Sequence, residues 1–199
     1  MREIYIPAET RQEKTELKKG EDKEEQLRKI KEEVEKTKDR LGKPIEQGIK
    51  DTVVMLKAFK IEISQSCEGH IEKEEVSPPW IEIYPTEPER EDWTGDEELR
   101  SSVEKEGKEM RLKILNLLNE FYEQEKVPFD QMLGFKNVGY GFRIQNNGAE
   151  TLGLLDKKIQ EEKVEIYKTE IERLTQFLKD KYFEKPELKP EQVLPKRKE

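Results

Sequence analysis

Residues 138–145 read Val138-Gly139-Tyr140-Gly141-Phe142-Arg143-Ile144-Gln145, and apolar side chains fall there at every second position. That period of two predicts a β-strand. It is the clearest strand pattern in a chain otherwise rich in helical Glu/Lys patterning, so it turns the expectation from an all-helical protein to a mixed one. Two shorter alternations support it, Lys60-Ile61-Glu62-Ile63-Ser64 and Trp80-Ile81-Glu82-Ile83-Tyr84, the second closed by Pro85. Asn146-Asn147-Gly148 turns the chain after the strand at 138–145. Residues 149–154 read either as a returning hairpin strand or as the approach to a last helix, and entry into a helix at about Thr151 is preferred.

The helices come from the other period. From about Glu21 to Leu41 the large apolar residues Leu27, Ile30, Val34 and Leu41 draw one narrow stripe, the seam of an exposed helix or coiled coil. Glu24/Arg28, Glu25/Lys29 and Glu32/Lys36 stand four apart with the acid first, the favourable order. Gly42 and Pro44 end this helix. A second runs from near Pro44 to about Phe59 with the wide apolar face of a core helix. A third spans about Asp96 to Lys126, with Thr94 and Asp96 as candidate caps, Thr94 and Glu97 at capping-box spacing, and a stripe of Val103, Met110, Ile114, Leu117 and Phe121. The last, to about Tyr182, carries Val164, Tyr167, Ile171, Leu174 and Leu178 in a heptad-like seam.

The fold expected is α+β: a small antiparallel sheet of about three strands packed against helices, with long charged N- and C-terminal helices. Its parts are a charged segment and amphipathic helix at 1–43, a compact α+β core at 44–150, a long helix at 151–185 and a disordered tail at 186–199. The chain has no internal repeat.

Composition bounds the function. Of 199 residues, 42% are charged and 32% hydrophobic, so the core should be confined to part of the chain. The net charge of −8 argues against non-specific nucleic-acid binding, which draws most of its affinity from a basic surface. The one dense basic run is Lys196-Arg197-Lys198, in the tail. Heavy Glu and Lys usage resembles thermophilic surfaces. No run of 18 apolar residues is present to span a membrane. The N-terminus lacks the apolar stretch of a signal peptide, and a single cysteine fits a reducing compartment, so cytoplasmic residence is expected.

Chemistry concentrates in Cys67-Glu68-Gly69-His70, which holds the only cysteine and the only histidine. Gly69 can turn the chain between Glu68 and His70. As a catalytic group, Cys67 would be activated by His70, itself oriented by Glu68 or Glu82. As a metal site, Cys-x-x-His supplies two ligands where zinc wants three or four, so the rest would have to be carboxylates or a second subunit, and no metal is assigned. As architecture, Cys67 is a small buried hydrophobe and His70 caps a turn. A fourth reading is a small-ligand pocket without covalent chemistry. No cofactor follows from any of these.

Strand alternation adds a surface. With Ile81, Ile83 and Ile63 facing the helices, Glu62, Trp80, Glu82, Tyr84, Arg143 and Gln145 share the opposite face, flanked by Gly139 and Gly141. Trp80, Glu82 and Arg143 are therefore candidate ligand-binding residues beside the Cys67 loop, Arg143 holding an anionic group. An Arg–Glu cross-strand pair on an ordinary polar face is the competing reading.

Gly48-Ile49-Lys50, Val53-Val54-Met55-Leu56, Ile61 to Ser64, Ser66-Cys67-Glu68-Gly69-His70 and Pro79-Trp80-Ile81-Glu82-Ile83 together resemble a pattern of uncharacterised bacterial proteins, over residues 44–84. The same stretch is locally similar to the wybutosine-synthesis methyltransferase family, where a helix and strand lead into a Ser-Cys-x-Gly-basic segment. Here His70 stands in place of arginine. That resemblance implies a tRNA-modifying role. Two function classes are carried forward: a ligand-binding or catalytic domain centred on Cys67–His70, and a structural protein that self-associates or binds a partner through its amphipathic helical seams.

Overall fold

The computed structural model describes residues 23–38, 42–72, 76–88, 93–123 and 125–184. Leu41, the first 22 residues, residues 73–75, the tail and its basic run lie outside the described residues. The elements in order are α1 (Lys23–Lys36), α2 (Gln47–Ala58), β1 (Gln65–Cys67), β2 (His70–Ile71), β3 (Val76–Ser77), β4 (Trp80–Ile83), α3 (Glu97–Glu123), β5 (Leu133–Val138), β6 (Gly141–Asn146) and α4 (Lys157–Phe183). Short 3-10 segments precede α3 and α4 (Trp93–Gly95, Asn147–Leu154). The fold is α+β, with a four-stranded antiparallel sheet ordered β1-β4-β6-β5 and a two-stranded β2-β3 ribbon.

One face of the sheet makes the core. Ile81, Ile83, Phe142 and Ile144 point into a cluster built with Ile49, Val53 and Leu56 of α2, Ile114, Leu117 and Phe121 of α3, and Ile171, Leu174 and Leu178 of α4. Each fully buried aliphatic side chain contributes about 1.5–3 kcal/mol. Leu27 and Val34 of α1 join the same cluster, so both charged terminal helices share the core of the segment between them. α2 packs against α1 and α4, and Thr52 and Thr175 hydroxyls meet 2.7 Å apart across the second contact. The described members of both seams, Leu27, Ile30 and Val34 on α1 and Val164, Tyr167, Ile171, Leu174 and Leu178 on α4, thus pack inside the chain.

Four local expectations change. The alternation at 138–145 is not one strand. It crosses a two-residue hairpin turn, with Gly139 at φ +53° between β5 and β6 and Val138 paired with Gly141. Glycine at the first turn position suits the right-handed twist of the flanking strands, and the turn absorbed two residues without breaking the visible period. The stretch at 61–64 is not a ladder strand, and only its last residue reaches the sheet, the Ser64 N–H donating to the Glu82 carbonyl at 2.9 Å. Lys60 at φ +59° ends α2, Ile61 and Ile63 are buried as expected, and the strand itself begins at Gln65.

Of the two residues expected to cap α3, Thr94 and Asp96, it is Asp96 whose Oδ1 accepts the N–H groups of Glu98 and Leu99, at 3.1 and 3.2 Å. α4 starts at Lys157, six residues after Thr151. The intervening backbone is claimed by the loop before β5: the N–H groups of Asn147 and Gly148 donate to Met132 and Asp130 carbonyls at 2.9 Å each. No return strand forms there. α1 ends at Lys36, before the stripe's expected last member.

Leu174 is 2% exposed and Leu154 is 85% exposed. Leu174→Glu should therefore cost more than about 4 kcal/mol by stranding a charge in the core. Leu154→Glu should change stability by less than about 0.5 kcal/mol. Urea denaturation of the two variants checks this, and comparable midpoints would contradict the packing of α4.

Candidate functional site

β1-β2 and β3-β4 form one long antiparallel hairpin interrupted in the middle. Cys67 pairs with Trp80 and His70 with Ser77, so both sides of the break keep the same register. Opposite Glu68-Gly69 stand Pro78-Pro79, which have no backbone N–H to give. The ladder opens there, and the strand carrying the cysteine is free to turn. Gly69 adopts φ +85°, and a Cβ on it would sit 3.0 Å from Pro79 and 3.2 Å from the Ser77 carbonyl oxygen. The turn brings the Cys67 sulfur and the His70 ring to the same place, where an unbroken strand would send residues three apart to opposite faces.

The third member comes from α2. Twelve residues of helix rise about 18 Å, and the seven-residue return from Ile61 to Cys67 can span at most about 23 Å. Cys67 therefore arrives beside the N-terminus of α2, where Glu46 occupies the cap position. Glu46 Oε1 accepts a hydrogen bond from His70 Nε2 at 3.0 Å, and Oε2 accepts the Glu68 N–H at 2.9 Å. The Glu68 carboxylate turns the other way and accepts the Gly48 N–H at 2.7 Å. There it meets one of the unpaired donors at the helix start, where negative charge is favourable. The partner that orients His70 is therefore Glu46, and neither Glu68 nor Glu82 does so.

The Cys67 thiol is half-buried and receives the Gly69 N–H at 3.5 Å. Burial raises its pKa above the ordinary value, with the Glu46 and Glu68 carboxylates adding to the rise against the Gly69 and Ser77 hydrogen bonds. The environment described here holds the proton on sulfur. Glu46 Oε, Cys67 Sγ and a His70 ring nitrogen all lie within 4.8 Å of one another, a donor set able to hold a metal ion.

Trp80, Glu82 and Arg143 do share one sheet face, and they engage each other. Arg143 Nε donates to Glu82 at 2.8 Å across directly paired positions, and its guanidinium lies 3.9 Å over the Trp80 ring. Glu82 and Trp80 are 5% and 8% exposed. The face is a closed ion pair with a stacked cap, forming the wall beside Cys67. Tyr84 reaches the β5–β6 turn, its hydroxyl accepting the Tyr140 N–H at 3.5 Å, and Glu62 is exposed outside the sheet. At the opposite sheet edge, α3 and β5 border a shallow groove of about 470 Å³ lined by Leu115, Leu118, Tyr122, Met132 and Phe135 among others.

Glu46 is the site residue the sequence did not single out. It was read as the first turn of a helix starting near Pro44, and its approach to His70, 24 positions away, is set by the return of the chain. No helix among the described residues is long and apolar enough to cross a membrane.

Two outcomes follow. Alkylation of native Cys67, measured against pH, should reach half its maximal rate above the ordinary thiol value of about 8.5, and His70→Ala should not move the profile. A half-point well below that value, normalised by His70→Ala, would mark an activated nucleophile instead. Arg143→Met leaves Glu82 buried without its partner and should cost about 3 kcal/mol, accompanied by a change in tryptophan fluorescence as Trp80 loses its cap. No family model matches the chain, nor does any curated protein or solved structure.

Proposed function

We propose that this protein is a small-ligand-binding domain whose recognition element is the break in the β1–β4 hairpin, with Glu46, Cys67 and His70 as the contacting side chains. The observation that carries the reading is the double role of Glu46. One carboxylate holds the imidazole at 3.0 Å and the backbone of the turn at 2.9 Å, so the three groups are set in place before any ligand arrives. Such preorganisation lowers the ordering cost of binding. The imidazole is bonded to Glu46 and the thiol is bonded by the Gly69 N–H, which supports non-covalent binding over nucleophilic attack by Cys67. Glu68 acts as a positioning residue through Gly48, and Trp80, Glu82 and Arg143 act as the supporting wall.

The competing reading, self-association through the helical seams, has less to stand on. Ile171 and Leu174 are each 2% exposed within one chain, so neither is offered to a partner without opening the core. A nucleic-acid substrate, implied by the resemblance to wybutosine-synthesis methyltransferases, is disfavoured by the net charge of −8.

A screen of small polar metabolites by amide NMR tests the proposal. Hits should shift the amides of Glu46 and of Glu68 to Ile71, and the double variant Glu46→Gln, His70→Ala should lose them while keeping its circular dichroism. Hits that shift Leu115, Leu118 and Phe135 and survive the double variant would move the function to the α3–β5 groove.

A further inference from the structure

We infer that Glu46, Cys67 and His70 bind a divalent transition-metal ion of the zinc class. The inference rests on reading the cluster as a ligand site, and it names the ligand. A thiol, an imidazole and a carboxylate present their ligand atoms within 4.8 Å of one another, and no other such trio is so close among the described residues. Zinc bonds of about 2.0–2.3 Å in tetrahedral array place neighbouring ligand atoms about 3.3–3.8 Å apart. Closing the difference is a movement on the scale of side-chain rotation.

Three separate elements hold the donors. Cys67 is the last residue of β1, fixed by Trp80 of β4, and His70 is the first of β2, fixed by Ser77 of β3. Glu46 stands at the cap of α2, with Oε2 taken by the Glu68 N–H and Oε1 turned to the site. The Gly69 N–H points at the sulfur, where it would stabilise a metal-bound thiolate. Such outer contacts orient the ligands and are part of what a metal site requires.

The donor chemistry selects the ion. Sulfur and imidazole nitrogen favour zinc and its soft neighbours, whereas magnesium and calcium take oxygen ligands throughout. On binding, the ion replaces the His70 Nε2–H···Oε1 bond, and the ring coordinates through Nε2 as neutral imidazole with its proton on Nδ1. The Cys67 proton passes to solvent as the sulfur–metal bond forms. The two positive charges of the ion are then balanced by one thiolate and one carboxylate. Three protein donors leave a fourth position for water or a substrate group, the arrangement found in reactive rather than structural zinc sites. The His70 side chain is 31% exposed, which gives the ion a path from solvent.

The test is titration of the reduced full chain with Co2+, followed by displacement with Zn2+. One ion per chain is expected, with a thiolate-to-cobalt charge-transfer absorption that Cys67→Ser abolishes. Glu46→Gln and His70→Gln should each weaken Zn2+ binding by at least about tenfold. If a variant does not fold, alkylation of the unaltered chain gives the same answer, because bound Zn2+ should block Cys67. Binding without the thiolate absorption, equal affinity in folded Cys67→Ser, or alkylation unchanged by Zn2+ would each overturn the inference. Any of these, with metabolites still shifting Glu68 to Ile71, overturns the metal alone. Metabolites shifting the α3–β5 groove instead overturn the ligand site as well.

Discussion

Two residues that cannot donate a hydrogen bond shape the centre of this protein. Pro78 and Pro79 face Glu68 and Gly69 across what would otherwise be a continuous antiparallel ladder, and they leave it without its N–H groups on that side. The Glu68 and Gly69 amides then look elsewhere, and both find the site: one bonds Glu46, the other the Cys67 sulfur. The positive φ of Gly69 follows from the same opening, since the turned backbone presses against Pro79 with room for no side chain. Without the break, His70 would point away from Cys67.

The rest of the fold keeps that break in register. Glu82 and Arg143 are directly opposed on β4 and β6, and a one-residue slip of β4 would send Glu82 into the apolar core while exposing Ile81 and Ile83. A buried ion pair is weak evidence for stability, but here its position fixes which residues of β4 face β1. Trp80 is thereby set opposite Cys67, under the guanidinium of Arg143. On the far side of the sheet, α2 is clamped between α1 and α4, which holds its N-terminus, and Glu46 with it, against the hairpin.

Much of the fold was legible because burial follows period. The seams of α3 and α4, the inward Ile81 and Ile83, and the Glu82–Arg143 pair all follow from spacing along the sequence. What was not legible depended on hydrogen bonds between distant segments. A hairpin turn through Gly139 preserves the period of two, so β5 and β6 looked like one strand. The backbone at 147–148 pairs with 130–132, which no local pattern announces. The site divided in the same way. Cys67 and His70 stood out by rarity, while Glu46 is one of many glutamates and became distinct only when α2 and its extended return closed a loop in space.

Gly48 gives this geometry a historical reading. Its N–H meets the Glu68 carboxylate at 2.7 Å, and a Cβ there would stand 2.9 Å from the same oxygen. The helix and the turn touch there through a glycine on one side and the carboxylate end of a long acid on the other. An alanine at 48 would push aside only the Glu68 carboxylate, the far end of a flexible side chain, and so loosen the tie between helix and turn. Over a lineage, change at 48 costs that tie alone, whereas Gly69, at positive φ against Pro79 and the Ser77 carbonyl, is held by backbone.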